Sequence, residues 1–119
     1  EVDSVCANAL GTNPEENTDN VSILLKYKNG SQGIVNYWSN GHKAYSKERF
    51  EVFYQGKVMI IDNFRKLIGF GTKTFSNSSG KLNKGHANQF LAYNEFLKSG
   101  GNPIIPFNEI VNSTKASLL

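Results

Sequence analysis

The pair Asn29-Gly30 constrains this chain more than any other two residues. Asn followed by Gly favours the two-residue type I′ hairpin, because both central residues of that turn need positive φ. The pair lies between two alternating runs, residues 21–28 and 31–39, so the sequence predicts an antiparallel hairpin. A two-residue turn sets Lys28 opposite Ser31, and the register follows. Leu25 then faces Ile34, Val21 faces Trp38 and Tyr27 faces Gln32 on one side. Leu24 faces Val35 and Ser22 faces Tyr37 on the other. The first side is the more apolar and is assigned to the core.

Further strands are expected on both sides of this hairpin. Residues 46–55 alternate, with Glu48, Phe50, Val52 and Tyr54 on one face and Lys47, Arg49, Glu51 and Phe53 on the other. Gly56-Lys57 turns into residues 58–61, which are apolar on both faces, and residues 65–70 read as another strand. Val2, Ser4 and Cys6 mark an edge strand. The Asn-, Ser- and Gly-rich stretches 11–20 and 75–83 read as loops. Two helices follow. Over residues 85–98, Ala87, Phe90, Leu91 and Leu97 share a face, and Ser99-Gly100-Gly101 ends the helix. Over residues 107–118, Phe107, Ile110, Val111, Thr114 and Leu118 repeat the spacing after a Pro103–Pro106 lead-in.

Strands first and helices last point to one α+β domain over residues 1–119, an open, mostly antiparallel sheet with helices packed on one face. Two helices cover one face of five or six strands. Leu24, Val35, Tyr37 and Phe53 point to the other, so a second cover is expected, either another domain or a second copy of the chain.

Composition excludes several classes. Of 119 residues, 39% are apolar and 19% charged, a balance unlike a disordered tail. The longest aliphatic run is Val58-Met59-Ile60-Ile61, far below the ~20 residues that cross a bilayer. The net charge of +3 is spread among acidic residues, whereas nucleic-acid binding wants a clustered basic face. Cys6 is the only cysteine, and no basic-then-apolar stretch opens the sequence. Together these give a cytoplasmic expectation. Asn20, Asn29, Asn77 and Asn112 begin glycosylation triplets, read as accidental in a chain so rich in Asn and Ser.

Few residues carry recognisable chemistry. Gly69-Phe70-Gly71-Thr72 approaches a dinucleotide turn but lacks the third Gly and leads into a polar loop, so no cofactor is expected on this chain. His42, His86 and Cys6 are too dispersed for a structural metal site. No catalytic residue is singled out. Lys84-Gly85-His86 opens a helix, where free N–H groups and the dipole favour an anion. The ordinary alternative is that Gly85 makes the turn and both side chains are solvated. Lys47-Glu48-Arg49-Phe50-Glu51 reads either as a substrate-facing charge cluster or as a solvated edge that discourages strand pairing.

Taken in order, these segments are familiar. Asp19-Asn20-Val21, Lys28-Asn29-Gly30-Ser31 with Gly33, Lys47-Glu48-Arg49-Phe50-Glu51-Val52-Phe53, Ile61-Asp62-Asn63-Phe64-Arg65, Lys84-Gly85-His86 and Pro103-Ile104-Ile105-Pro106 follow one another. The string resembles the C-terminal domain of the Gfo/Idh/MocA oxidoreductases over nearly the whole chain. It is most similar to the sugar and sugar-nucleotide branch, including members fused to an alcohol-dehydrogenase-like half. The resemblance implies a parent enzyme whose separate Rossmann domain binds NAD or NADP. In the family a Glu-Lys-Pro motif supplies a catalytic Lys, and a His/Asp-bearing helix completes the site; neither is present here.

The resemblance further implies that this half lines the substrate pocket on one side and mediates homo-oligomer contacts through its open sheet face. Arg49, Lys84 and His86 are the expected contacts to a sugar-like substrate or its phosphate groups. The chain alone is expected to be inactive. The alternative is a non-catalytic oligomerisation or carbohydrate-binding module.

Overall fold

The computed structural model describes residues 1–13, 19–72 and 77–118. The fold is α+β: among the described residues, seven strands precede two helices. The strands form two antiparallel sheets where the sequence suggested one. The break falls at residues 39–48, where Gly41 and a turn closed by Tyr45 N donating to His42 O interrupt the strand pattern. Two compact units result, Glu1–Gly41 with Tyr93–Leu119 and His42–Ala92.

In the first unit the strands β1 (Val2–Ala9), β2 (Asn20–Tyr27) and β3 (Gln32–Trp38) lie in the order β1-β2-β3. The hairpin at Asn29-Gly30 forms, but with three loop residues rather than two. Gly30 N donates to Tyr27 O and Tyr27 N to Ser31 O, both at 2.9 Å. Only Gly30 has positive φ, at +85°, while Asn29 keeps negative φ. This is a type I turn followed by a left-handed glycine, which adds one residue to the loop.

The extra residue exchanges the faces of β3. Leu24 now pairs with Ile34, Ile23 with Val35 and Val21 with Tyr37. Side-chain direction alternates along a strand, so a one-residue slip moves every β3 side chain across the sheet. Val21, Ile23, Leu25 and Tyr27 therefore share a face with Gly33, Val35 and Tyr37, not with Ile34 and Trp38 as expected.

Strand β1 is adjusted in the same sense. A register shift between Val2 and Ser4 makes Asp3 the extra residue, so Val2 pairs with Tyr27 while Val5 pairs with Leu25. The bulge turns Val2, Val5, Ala7 and Ala9 to the apolar face and leaves Ser4, Cys6 and Asn8 on the other. The first sheet is thus apolar on one side and mixed on the other, where Leu24, Ile34 and Trp38 are exposed beside Ser22, Lys26 and Asn36.

A polar knot ties the start of β2 to the end of β3. Asn20, 6% exposed, donates from Nδ2 to Asp19 Oδ1 and Ser39 Oγ, and its Oδ1 accepts from Asn40 N. Every polar atom of a buried amide is then satisfied. Asn20 is therefore unsuited to carry a glycan, and Asn112 spends its Oδ1 accepting Val2 N at 2.8 Å. That bond fastens β1 to α2 (Phe107–Ser117), which lies along it.

The second unit holds β4 (Arg49–Tyr54), β5 (Lys57–Asp62), β6 (Lys66–Phe70) and β7 (Asn77–Ser79) in sequential order. β7 falls in a stretch read as loop, since Asn-Ser-Ser carries no strand signal. Gln55 and Gly56 have φ of 46° and 73° between paired Tyr54 and Lys57, which makes this the two-residue primed turn. Gly71 packs against it so closely that an added Cβ would stand 2.6 Å from Gly56 O.

Register places Phe50, Val52, Met59, Ile61 and Leu67 on one face of this sheet, and Phe53, Val58, Ile60, Ile68 and Phe70 on the other. Both faces are apolar. Phe53 is 70% exposed, and Phe50, Val52 and Phe70 are about half exposed.

The helix α1 (His86–Ser99) ends at Gly100, φ +69°, whose N–H donates to Phe96 O. Its apolar residues Phe90, Leu91 and Leu97 are more than 60% exposed rather than buried under a sheet. Among the described residues no apolar side chain is buried.

Candidate functional site

Three segments far apart in sequence converge in the second unit. The entry to β4 supplies Glu48, the β5–β6 turn supplies Asn63 and Phe64, and the approach to α1 supplies Asn83 and Lys84. Backbone bonds set them in place. Asn63 N donates to Glu48 O at 2.7 Å, Arg65 N to Asp62 O at 3.0 Å, and Asn83 N to Phe64 O at 3.4 Å.

Asn63 and Phe64 both sit in the left-handed region, at φ 49° and 51°. An aromatic residue there is strained by roughly 1–2 kcal/mol, because its Cβ crowds the following carbonyl. Neighbours on several sides hold Phe64 in place. Its ring meets Phe50 at 5.6 Å between centroids, tilted by 59°. The Lys84 ammonium lies 5.7 Å from the same ring centroid, within cation–π range.

Lys84 Nζ also donates to Glu48 Oε1 at 2.7 Å, with the two side chains 35% and 26% exposed. Glu48 Oε2 is buried without a hydrogen-bond partner among the described residues. Behind Lys84, Asn83 Oδ1 accepts from Gly85 N at 2.9 Å, and Gly85 O accepts the first helical bond from Gln89 N. Gly85 has φ +79° with open space where a side chain would stand, so the turn into α1 depends on glycine.

The residues singled out in the sequence fare differently. Lys84 is at the centre of the cluster, but its charge is matched by Glu48. Arg49 opens β4 next to Phe50 and therefore points to the face opposite the Phe50 ring that meets Phe64. Its Nε and Nη2 both donate to Glu51 Oε1 at 2.7 Å. Glu51, chiefly through that hydrogen bond, holds the guanidinium above its ordinary value. His86 is exposed at the first position of α1. Sequence reasoning missed Glu48 and Phe64 as the partners of Lys84, and no local pattern marks a pairing across 36 residues.

The first sheet offers less. On its mixed face Ser4, Cys6, Leu24, Lys26 and Gln32 border a shallow open depression of about 300 Å³. Among the described residues no group of three or more His, Cys, Asp or Glu converges, and no helix is long and apolar enough to cross a membrane. No family model, curated protein or solved structure matches the chain.

Proposed function

We propose that this chain is the C-terminal, sheet-forming domain of an NAD(P)-dependent oxidoreductase of the Gfo/Idh/MocA type. The parent would act on a hydroxyl of a sugar, sugar nucleotide or cyclitol. This domain would supply one wall of the substrate pocket and an oligomer interface. The observation that carries the reading is that three recognised segments meet in one cluster, through Glu48, Asn63-Phe64 and Lys84. Separate motifs that fold into a shared site are the arrangement a substrate wall needs.

The nicotinamide cofactor belongs to the other domain of such an enzyme. Gly69 lies inside β6, paired to Met59, and the room beside Gly71 is filled by the Gly56 carbonyl. A pyrophosphate has no cradle at Gly69 and Gly71, and in this reading the dinucleotide is held by the other domain.

The test is the coding sequence upstream of Glu1. A strand, a Gly-rich turn and a helix, followed by a Glu-Lys-Pro segment, are expected. The longer protein should reduce NAD or NADP in the presence of a sugar or cyclitol. An upstream region without that turn would overturn the proposal. The apolar faces of the second sheet favour one other reading, a non-catalytic oligomerisation module. That reading requires a self-associating chain whose full-length form has no dehydrogenase activity.

A further inference from the structure

A lysine ammonium has three N–H donors, and the charge beside Lys84 decides what else it can hold. One donor goes to Glu48 Oε1 at 2.7 Å, and the Phe64 ring centroid lies 5.7 Å from the nitrogen, too far to take an N–H. Two donors are left, on a side chain that is 35% exposed. A phosphate or carboxylate could reach these donors only beside Glu48. It would also set its negative charge about 4–5 Å from the Glu48 carboxylate, on ordinary hydrogen-bond lengths. Like charges so placed repel across a partly desolvated site. A hydroxyl group brings one neutral acceptor and meets no such penalty.

The second cation repeats the pattern. Arg49 is committed to Glu51 through two donors. Lys84 and Arg49 thus each have their charge met by a carboxylate.

We infer that Glu48 determines specificity at the Lys84 position: it admits an uncharged polyhydroxyl ligand and turns away phosphorylated or carboxylated ones. This rests on reading Lys84 as substrate-facing, and it narrows the substrate to a neutral sugar or cyclitol at that contact. Phe64 serves as a positioning residue, since its left-handed backbone puts the ring beside the ammonium.

The test uses the ¹⁵N-labelled chain and inorganic phosphate as the probe, followed through the amide signals of Lys84, Gly85 and His86. Glu48→Gln keeps the side-chain shape and an oxygen acceptor for Lys84 but removes the charge. Phosphate should bind Glu48→Gln at least about tenfold more tightly than the unsubstituted chain. The gain should vanish in Glu48→Gln/Lys84→Met. Equal phosphate affinity with and without the Glu48 charge, including none in either, overturns the inference. So does a gain that survives loss of Lys84. Should Glu48→Gln not fold, phosphate titrated into the unsubstituted chain and into Lys84→Met decides. Saturable binding that needs Lys84 overturns the inference, and its absence supports it. A failed phosphate result beside an upstream nucleotide-binding domain removes this inference alone. The reverse pair of results removes the dehydrogenase reading and leaves the charge selection standing.

Discussion

The ring of Tyr27 lies over Gly33, with Cε2 3.5 Å from the point where a Gly33 side chain would begin. The two residues sit on the same face of the β2–β3 hairpin, diagonal to one another across the Leu25–Gly33 pair. A glycine in a strand interior leaves a gap in packing, and an aromatic laid across it restores contact.

The first prediction follows from that distance. A methyl at 3.5 Å from the ring is in ordinary contact, and Gly33 has no positive φ to lose. Gly33→Ala should therefore stabilise the chain by about 0.4–1 kcal/mol, by restricting the unfolded state. Gly33→Val should be destabilising, because the added branches displace the ring. Urea denaturation of both variants measures the sign change.

The turns of the second sheet respond in opposite directions. Gln55 holds φ 46° in a primed turn that prefers Asn or Gly. Gln55→Asn should raise stability by about 0.5–1 kcal/mol. Gly71→Ala should lower it by about 2 kcal/mol or more, since its Cβ would meet a backbone oxygen at 2.6 Å. Thermal melts of the two variants should move apart.

A double-mutant cycle on Glu48 and Lys84 should return a coupling of about 1–2 kcal/mol, between exposed and buried ion pairs. The pair Glu1–Lys28 is just as short, at 2.6 Å, but its side chains are 58–61% exposed. Its coupling should be smaller and should fade with added salt, whereas that of Glu48–Lys84 should largely persist.

Asp19 carries a pH signature. The Ser39 hydroxyl, donating to Oδ2 at 2.6 Å, is the main reason that its carboxyl lies below the ordinary value. A depressed folded pKa contributes stability above the unfolded pKa, and that contribution is lost as pH falls through the folded value. Ser39→Ala should move the Asp19 titration upward when its carboxyl carbon is followed by NMR. The stability deficit of the variant should be present at neutral pH and shrink in acid.

How much of this was legible beforehand depends on how far apart the interacting residues lie. The α+β class, the hairpin and both helices come from local periodicity and turn residues, and they stand. Parity within β2 and β4 was readable for the same reason. The face of β3 was not. Asn-Gly serves both a two-residue type I′ turn and a three-residue loop with a left-handed glycine, and these differ by one step of register. The turn read at Gly56-Lys57 falls one residue earlier, at Gln55-Gly56, because Gln signals positive φ weakly. The Glu48–Lys84 pair is set by backbone bonds between loops, Asn63 N to Glu48 O and Asn83 N to Phe64 O, that no nearby residue announces, and the bulge at Asp3 follows from cross-strand fit.

The β4–β7 layer has a practical corollary. A ribbon that is oily above and below has no preferred side to turn toward water, so the polypeptide produced by itself should be sparingly soluble and should bind hydrophobic dyes. Attaching a soluble carrier would leave both oily sides as they are. Replacing Phe53 and Phe70 with Thr or Lys would blunt one side only, and dye binding should then fall by part of its amplitude while the Phe50 side continues to respond.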